Sequence, residues 1–297
     1  MKSNCARLKL LIWLVLCLFA LMPAANASMP KGIYITQQTM EDTKYITYLI
    51  ERAKKVGITT FVVDLELPSA QYQKNIALLK SNNIMYVARI IMYPGGGTPE
   101  QIASEAYREK KHRLVETALS YGAQQIQLDY IRFNSKQPAS SEHAATIKKI
   151  IQTFKNRLDA EKIPLQVDVF GITSFGEEKH IGQSIPLFSS TIDVVCPMVY
   201  PSHYEPFDYH FARPYQTVYE SLTAIKQQFE DKMPVKLYPY IELSNYHYPS
   251  MSREKKLKYI YAQIQAVQDA GADGWYAWSA KNYYDNLFTV LETYPVR

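Results

Sequence analysis

The sequence predicts an α/β fold, a (β/α)8 TIM barrel, and three observations support this prediction. Eight β-rich runs alternate with eight stretches of helical periodicity. The chain has 297 residues, 47% of them hydrophobic, which is enough to bury the core of a barrel of about 250 residues. No Pro-rich or Ser-rich linker interrupts the chain after residue 27, which predicts one barrel domain over residues 28–297.

Each predicted strand is a short run of apolar residues with a high proportion of β-branched and aromatic side chains. The eight runs are 31–36, 59–67, 84–93, 123–133, 165–171, 192–200, 235–243 and 274–280. A helical stretch follows each run. These stretches are 42–56, 72–82, 99–121, 141–161, 181–189, 214–230, 252–270 and 283–293.

A doubly wound open sheet is the alternative for a chain in which strands and helices alternate. That fold usually carries a glycine-rich phosphate-binding turn after an early strand. The first run ends in Ile35 and Thr36, and Gln37 and Gln38 follow without a glycine. Three glycines at 95–97 follow the third run, but the lysine of a phosphate-binding loop is missing. The barrel is therefore favoured.

The N-terminal 27 residues have the layout of a secretory signal peptide. Three cations, Lys2, Arg7 and Lys9, precede an apolar run at 10–22, and a small-x-small cleavage pattern follows at 25–27. An uncleaved anchor is the alternative, but the run is shorter than the roughly 20 apolar residues that a spanning helix needs. We expect cleavage after Ala27 and a secreted or periplasmic protein with no stable membrane insertion.

Charge, cysteine and histidine content narrow the class of protein. Lys and Arg number 33 and Asp and Glu 28, for a formal charge of +5. Three of the cations and no acid lie in residues 1–27, so the rest carries +2, which gives no reason to expect binding to nucleic acid or to an anionic membrane. Cys5 and Cys17 fall within the predicted signal peptide, and Cys196 lies in a β-rich run where burial is expected. The histidines lack the spacing of a zinc motif, so neither a metal nor a cofactor is expected. No sequence feature indicates the oligomeric state.

Carboxylates near the ends of three predicted strands are the candidate catalytic residues. Active sites of barrels lie at the C-terminal ends of the strands. Asp129 ends the inward phase of the fourth run, Asp168 lies in the fifth and Glu242 in the seventh. In glycoside hydrolysis one carboxyl group protonates the leaving oxygen while another attacks carbon or activates water. Asp129 is the expected nucleophile or base, and either Asp168 or Glu242 is the expected acid.

Other polar and aromatic side chains at the same strand ends are candidates for binding the substrate, because flat amphipathic rings offer sugars an apolar face. Asp64 and Glu66 share one phase and either face the site or pair with Arg89. Trp275 and Trp278 fall in opposite phases, so only one should face the barrel. The predicted substrate-binding residues are Asp64, Glu66, Arg89, Arg132, Tyr200, His203, Tyr204, Tyr240 and Trp278.

Four blocks in order resemble the putative glycosyl hydrolase domain family, a bacterial barrel family, over about residues 30–293. The blocks are QLDYIRF at 127–133, DVFG at 168–171, CPMVYPSHY at 196–204 and GWYAW at 274–278. The resemblance implies a TIM barrel and a carbohydrate substrate, without an established mechanism. By fold-level analogy, barrels of the α-amylase type carry carboxylates after strands four, five and seven, where Asp129, Asp168 and Glu242 stand.

The sequence thus predicts an exported glycoside hydrolase that cleaves a poly- or oligosaccharide with two carboxylates and no cofactor. A carbohydrate-binding barrel without catalytic activity is one alternative. A protein-interaction barrel, whose aromatic mouth is the interface, is the other.

Overall fold

The computed structural model describes residues 29–243 and 251–295, and its parallel strands close into a barrel, which confirms the predicted fold class. Neighbouring strands in the sequence are neighbours in the barrel, and β9 closes it by pairing with β1. The strands are β1 (Lys31–Ile35), β2 (Thr60–Asp64), β3 (Met85–Ile91), β4 (Gln125–Asp129), β5 (Leu165–Phe170), β6 (Val194–Met198), β7 (Lys236–Leu237), β8 (Tyr240–Glu242) and β9 (Trp275–Trp278). The predicted signal peptide lies outside the described residues.

The seventh barrel position is occupied by two short segments, β7 and β8, which both pair with β6. Pro239 separates them, because proline has no backbone N–H to donate to a strand ladder. The Tyr238 N–H still donates to the Val195 carbonyl at 3.0 Å, and Tyr240 pairs with Met198 in register. The two segments together therefore act as one of eight barrel strands, as predicted.

The helices lie outside the strands. They are α1 (Gln37–Glu41), α2 (Thr43–Lys55), α3 (Ala70–Ser81), α4 (Pro99–Ala103), α5 (Glu105–Ser120), α6 (Glu142–Asp159), α7 (Ile185–Phe188), α8 (Phe207–Phe211), α9 (Pro214–Gln227), α10 (Arg253–Asp269) and α11 (Asp285–Thr293). Two 3₁₀ turns, Gly171–Phe175 and Pro201–His203, follow β5 and β6. Within the described part of the chain, no helix is both long enough and apolar enough to cross a membrane.

One helical stretch differs from the prediction because a side-chain cap divides it, and α2 matches the stretch predicted at 42–56. The stretch at 99–121 forms α4 and α5, and the Ser104 side chain caps α5 by accepting from the Tyr107 N–H at 3.2 Å. Asp42 likewise caps α2 and separates it from α1, which was not predicted. The short helix α8 was not predicted either.

β4 ends four residues before the predicted end at Phe133. Tyr130 has φ = +51°, in the left-handed region, which is incompatible with a continuing strand. The chain therefore turns immediately after Asp129, and the turn leaves this carboxylate at the C-terminal end of the barrel.

Neutral polar groups and tyrosines fill the barrel interior below its C-terminal end. Gln127 donates to Gln166 at 2.9 Å and accepts from the Tyr240 hydroxyl at 2.8 Å, and Gln166 also donates to the Tyr276 hydroxyl at 3.0 Å. Cys196 is fully buried beside these side chains, as predicted. Because buried amides and hydroxyls are costly unless paired, this network holds the interior side chains in defined orientations.

Candidate active site

A cavity of about 730 Å³ opens where the C-terminal ends of the strands meet. Asp129 from β4 and Asp168 from β5 both line it. Eight of the sequence-predicted site residues line this cavity: Arg89, Asp129, Asp168, Tyr200, His203, Tyr204, Tyr240 and Trp278. The structure thus brings most of the candidate residues together, and Asp64, Glu66, Arg132 and Glu242 are the exceptions.

The Arg89 guanidinium lies among three buried aspartates. Its Nη1 is paired with Asp64 and its Nη2 with Asp129, and its Nε lies 3.4 Å from Asp168 Oδ2. One cation among three carboxylates leaves excess negative charge in a region from which water is largely excluded, and this favours protonation within the cluster. Across the described ranges, no group of His, Cys, Asp and Glu side chains is arranged to hold a metal ion.

Asp168 is the carboxyl group whose surroundings favour the protonated form most clearly. Burial raises its pKa well above the usual value, the nearby Asp129 raises it further, and Arg89 lowers it. Its Oδ1 is buried, and no donor among the described residues bonds to it. A carboxyl group that stays protonated at pH values where an ordinary aspartate is ionised is able to donate a proton to a leaving group.

Asp129 is bound differently, since both of its oxygens accept hydrogen bonds. Oδ2 accepts from Arg89 Nη2, and Oδ1 accepts from the backbone N–H of Tyr130. The side chain lines the cavity although the residue is only 4% exposed. A carboxylate held by two donors and facing a cavity is suited to act as a nucleophile or a base.

Asp64 and Glu66 are separated in the structure. Asp64 pairs with Arg89 and accepts from the Tyr34 hydroxyl at 2.5 Å, behind the cavity lining. Glu66 does not share its side, because β2 ends at Asp64 and the alternation of side chains stops there. The Glu66 side chain is exposed outside the cavity, and its backbone N–H donates to Gln37 Oε1 at 2.8 Å.

Glu242 is fully buried but does not line the cavity, contrary to its predicted convergence with Asp129 and Asp168. Its carboxylate instead accepts hydrogen bonds from Ser202 and Tyr259. Burial raises its pKa to about 7, although these hydrogen bonds act in the opposite direction.

Arg132 lies beside the cavity and outside its lining. Its guanidinium lies 4.8 Å from the ring centroid of Phe170 and 5.5 Å from that of Tyr130, and Nη1 donates to the Phe133 carbonyl at 3.0 Å. Phe170 and Tyr130 both line the cavity, so Arg132 supports two rings of its wall.

Aromatic rings form one wall of the cavity. Tyr200 and Trp278 are stacked with ring centroids 5.1 Å apart, and the His203 ring meets Tyr200 edge-on at 5.3 Å. Trp275 is fully buried and does not line the cavity, so only one of the two tryptophans contributes, as predicted. The Tyr204 hydroxyl accepts from Ser221 Oγ at 3.0 Å, which fixes the position of this ring.

Several lining residues were missed by the sequence reasoning. Tyr34, Phe170 and Met198 belong to strands and lie at or next to the C-terminal ends, which is a signal that would have identified them. The others follow strand ends, where alternation carries no information. The missed residues are Tyr34, Tyr130, Phe170, Gly171, Ile172, Met198 and Glu205.

A parallel (β/α)8 barrel whose C-terminal end holds buried aspartates beside an aromatic wall has the architecture of a glycoside hydrolase. Comparison with family models agrees with this class. The chain belongs to the family described as "Putative glycosyl hydrolase domain", whose model matches residues 100–284, more than half of the chain. The resemblance drawn from the four sequence blocks is confirmed.

Three solved structures show the same fold. The Bacillus cereus spore cortex-lytic enzyme SleL has 14% identity and a TM-score of 0.63, over 91% of this chain and 75% of that one. An endo-1,4-beta-mannanase from Rhizomucor miehei has 11% identity and a TM-score of 0.62, over 89% and 93%. A group II chitinase domain from Ostrinia furnacalis, in complex with penta-N-acetylchitooctaose, has 12% identity and a TM-score of 0.60, over 89% and 95%. A comparison with curated proteins finds no match.

Proposed function

We propose that this protein cleaves a glycosidic bond of a poly- or oligosaccharide with two carboxyl groups, Asp129 and Asp168. The observation that carries the proposal is their difference in environment within one cavity. Asp129 is bound by two donors, whereas Asp168 has a raised pKa and a buried oxygen to which no donor in the described part of the chain bonds. Acid-assisted glycoside cleavage requires one carboxyl group that donates a proton and a second that serves as nucleophile or base.

In the proposed reaction, Asp168 gives its proton to the glycosidic oxygen as the bond to the anomeric carbon breaks. Asp129 either attacks that carbon or removes a proton from the water that does so. Arg89 contacts both groups and keeps them in place. The anomer formed in the first turnover, measured by NMR, distinguishes the two roles of Asp129, since direct attack retains configuration and water activation inverts it.

The substrate class is proposed from the aromatic wall and from the relatives. Tyr200, His203 and Trp278 present ring surfaces of the kind that stack on sugars. Structural neighbours named as a cortex-lytic enzyme, a mannanase and a chitinase support a carbohydrate polymer as the substrate.

A panel of polysaccharides and aryl glycosides, with release of reducing ends as the readout, tests the proposal. We expect wild type to cleave at least one of them and Asp129→Asn to lose several orders of magnitude in turnover while folding normally. Asp193→Asn is the control, because Asp193 accepts from the Leu165 N–H at 2.8 Å at the opposite end of the barrel. Binding of glycans without any turnover in wild type would instead support a carbohydrate-binding barrel.

Export is a separate part of the proposal and depends on residues 1–27. The charged segment, the apolar run and the pattern at 25–27 support cleavage after Ala27 in a secreted or periplasmic protein. N-terminal sequencing of exported protein is expected to begin at Ser28. A mature protein that retains Met1 in the membrane fraction would contradict it.

A further inference from the structure

The Glu242 carboxylate occupies an acceptor site behind the cavity wall. Oε1 accepts from the Ser202 N–H at 2.8 Å and from the Tyr259 hydroxyl at 2.6 Å, and Oε2 accepts from Ser202 Oγ at 2.7 Å. Ser202 belongs to the turn after β6 and Tyr259 to α10, so one side chain of β8 joins two other elements. Both Glu242 oxygens thus act as hydrogen-bond acceptors, and the three donors hold the carboxylate in one position.

The turn held in this way carries part of the cavity wall. Pro201–His203 is a single 3₁₀ turn without a side-chain cap of its own. Tyr200 and Tyr204 flank it, and both line the cavity together with His203. Ser202 is fully buried, and an unpaired backbone N–H there would be costly. Glu242 supplies the acceptor for that N–H.

The same geometry separates Glu242 from the reacting groups. It does not line the cavity, whereas His203 does, and His203 Nε2 lies 4.0 Å from Glu242 Oε2. The imidazole and the Pro201–His203 turn therefore connect this carboxylate to the cavity. An effect of Glu242 on catalysis has to pass through the residues that it holds.

We propose that Glu242 is a positioning residue, whose carboxylate fixes the Pro201–His203 turn and thereby places His203 and Tyr204 against the substrate. This inference rests on the proposed function and replaces the role of catalytic acid that the sequence left open for Glu242.

Two substitutions separate a positioning role from an acid role. Glu242→Gln keeps Oε1 for Ser202 N–H and Tyr259, and its amide is able to donate to Ser202 Oγ, because a hydroxyl both donates and accepts. Glu242→Leu keeps the approximate size and removes both acceptors. A catalytic acid tolerates neither change, whereas a positioning residue tolerates the first.

The kinetic experiment measures kcat and KM for both variants on a substrate that wild type cleaves. We expect Glu242→Gln to retain kcat within about threefold, and Glu242→Leu to raise KM about tenfold or more with a smaller change in kcat, as loss of binding contacts does. Asp193→Asn controls for general destabilisation and should leave KM unchanged. A loss of three orders of magnitude in Glu242→Gln, or a KM in Glu242→Leu equal to that of the control, would overturn the proposal.

A second measurement needs no substrate, so it separates failure of this inference from failure of the proposed function. Amide hydrogen exchange at 202–204 is expected to speed up at least tenfold in Glu242→Leu and to change little in Glu242→Gln. Unchanged exchange in Glu242→Leu would reject the role of Glu242 even if no glycan is cleaved. If Glu242→Leu does not fold, Ser202→Ala and Tyr259→Phe each remove one side-chain donor from the same carboxylate and are expected to raise KM.

Discussion

At the scale of single residues, Arg89 determines how the three aspartates share one positive charge. It contacts Asp64 and Asp129 closely and Asp168 only at 3.4 Å. The asymmetry leaves Asp168 the least compensated of the three, in line with its raised pKa. A single guanidinium thus distinguishes two carboxyl groups that face the same cavity.

Leaving-group chemistry tests the roles of those two groups. Asp168→Asn is expected to lose far less activity on aryl glycosides with acidic phenols than on natural glycans, because a good leaving group needs no proton. Asp129→Asn is expected to be inactive on both. The measurement is kcat on aryl glycosides and on natural glycans that carry the same sugar. If Asp168→Asn loses the same factor of activity on both classes of substrate, Asp168 is not the catalytic acid.

Removing the shared cation tests the electrostatic account. Arg89→Met leaves buried carboxylates uncompensated and should lower the free energy of unfolding by about 3–5 kcal/mol at pH 7. The loss should shrink at pH 4, where the carboxyl groups accept protons more readily. Urea unfolding at the two pH values measures it. Arg113→Met, in an exposed pair with Glu109, is the control and should have much less effect.

At the scale of elements, the site depends on how closely the turns after β5 and β6 approach each other. Gly171 begins the turn after β5, and a Cβ there would lie 2.1 Å from the Tyr204 hydroxyl oxygen and 2.6 Å from the Met198 carbonyl oxygen. Only glycine allows this contact without displacing the cavity wall. The close approach of the two turns therefore depends on the absence of a side chain at Gly171.

Gly171→Ala is expected to lower the free energy of unfolding by about 1–3 kcal/mol, as overpacking of a filled site does. It should also weaken glycan binding by displacing Tyr204. Tyr204→Phe removes the closest clashing atom, so the double variant should be more stable than the sum of the two single effects predicts. Urea unfolding of the four proteins completes this cycle. Strict additivity would show that Gly171 and Tyr204 are not in contact.

At the scale of the whole molecule, several buried carboxyl groups affect stability in the same direction. Burial raises the pKa of Asp64, Asp168 and Glu242, and for Glu242 the pKa rises from the ordinary 4.5 to about 7. Between those two values the folded state holds a proton that the unfolded state has released. The free energy of unfolding therefore falls as the pH rises through this range.

For Glu242 alone the difference amounts to about 3 kcal/mol between pH 4.5 and pH 7. Glu242→Gln removes this titration, so its stability should decline less between pH 5 and pH 7.5 than that of wild type. The neighbouring titratable groups, His203 and Tyr259, remain in both proteins. Urea unfolding across this range provides the measurement, and parallel curves for the two proteins would contradict the assignment.

The closed barrel also buries its thiol. Cys196 is inaccessible in β6, and burial raises its pKa well above the usual value. Thiol reagents are expected to label the native protein slowly and the urea-unfolded protein rapidly, because the thiolate is the reactive form. Labelling rates followed with a chromogenic disulfide provide the test. Fast labelling of native protein with loss of activity would contradict burial and indicate a functional thiol.

Much of the site was predictable where alternation along a strand persists. Gln127 and Asp129 share the inward phase of β4, and Asp168 follows Gln166 in β5, so local sequence assigns them to the interior. Glu66 illustrates the limit of that reasoning. It lies two residues beyond the end of β2, where the backbone no longer alternates, and its side chain faces solvent.

The sequence by itself determined the barrel, the burial of Cys196 and the strand positions of Asp129 and Asp168, because hydrophobic period and strand phase are local properties of the chain. The tertiary structure decided which groups pair. Arg89 and Asp168 are 79 positions apart, and Ser202 and Glu242 are 40 apart. Such partners are chosen by barrel closure and by the path of the turns after the strands. The donors that bind each buried carboxylate come from distant positions in the sequence, so they meet it only when the chain has folded.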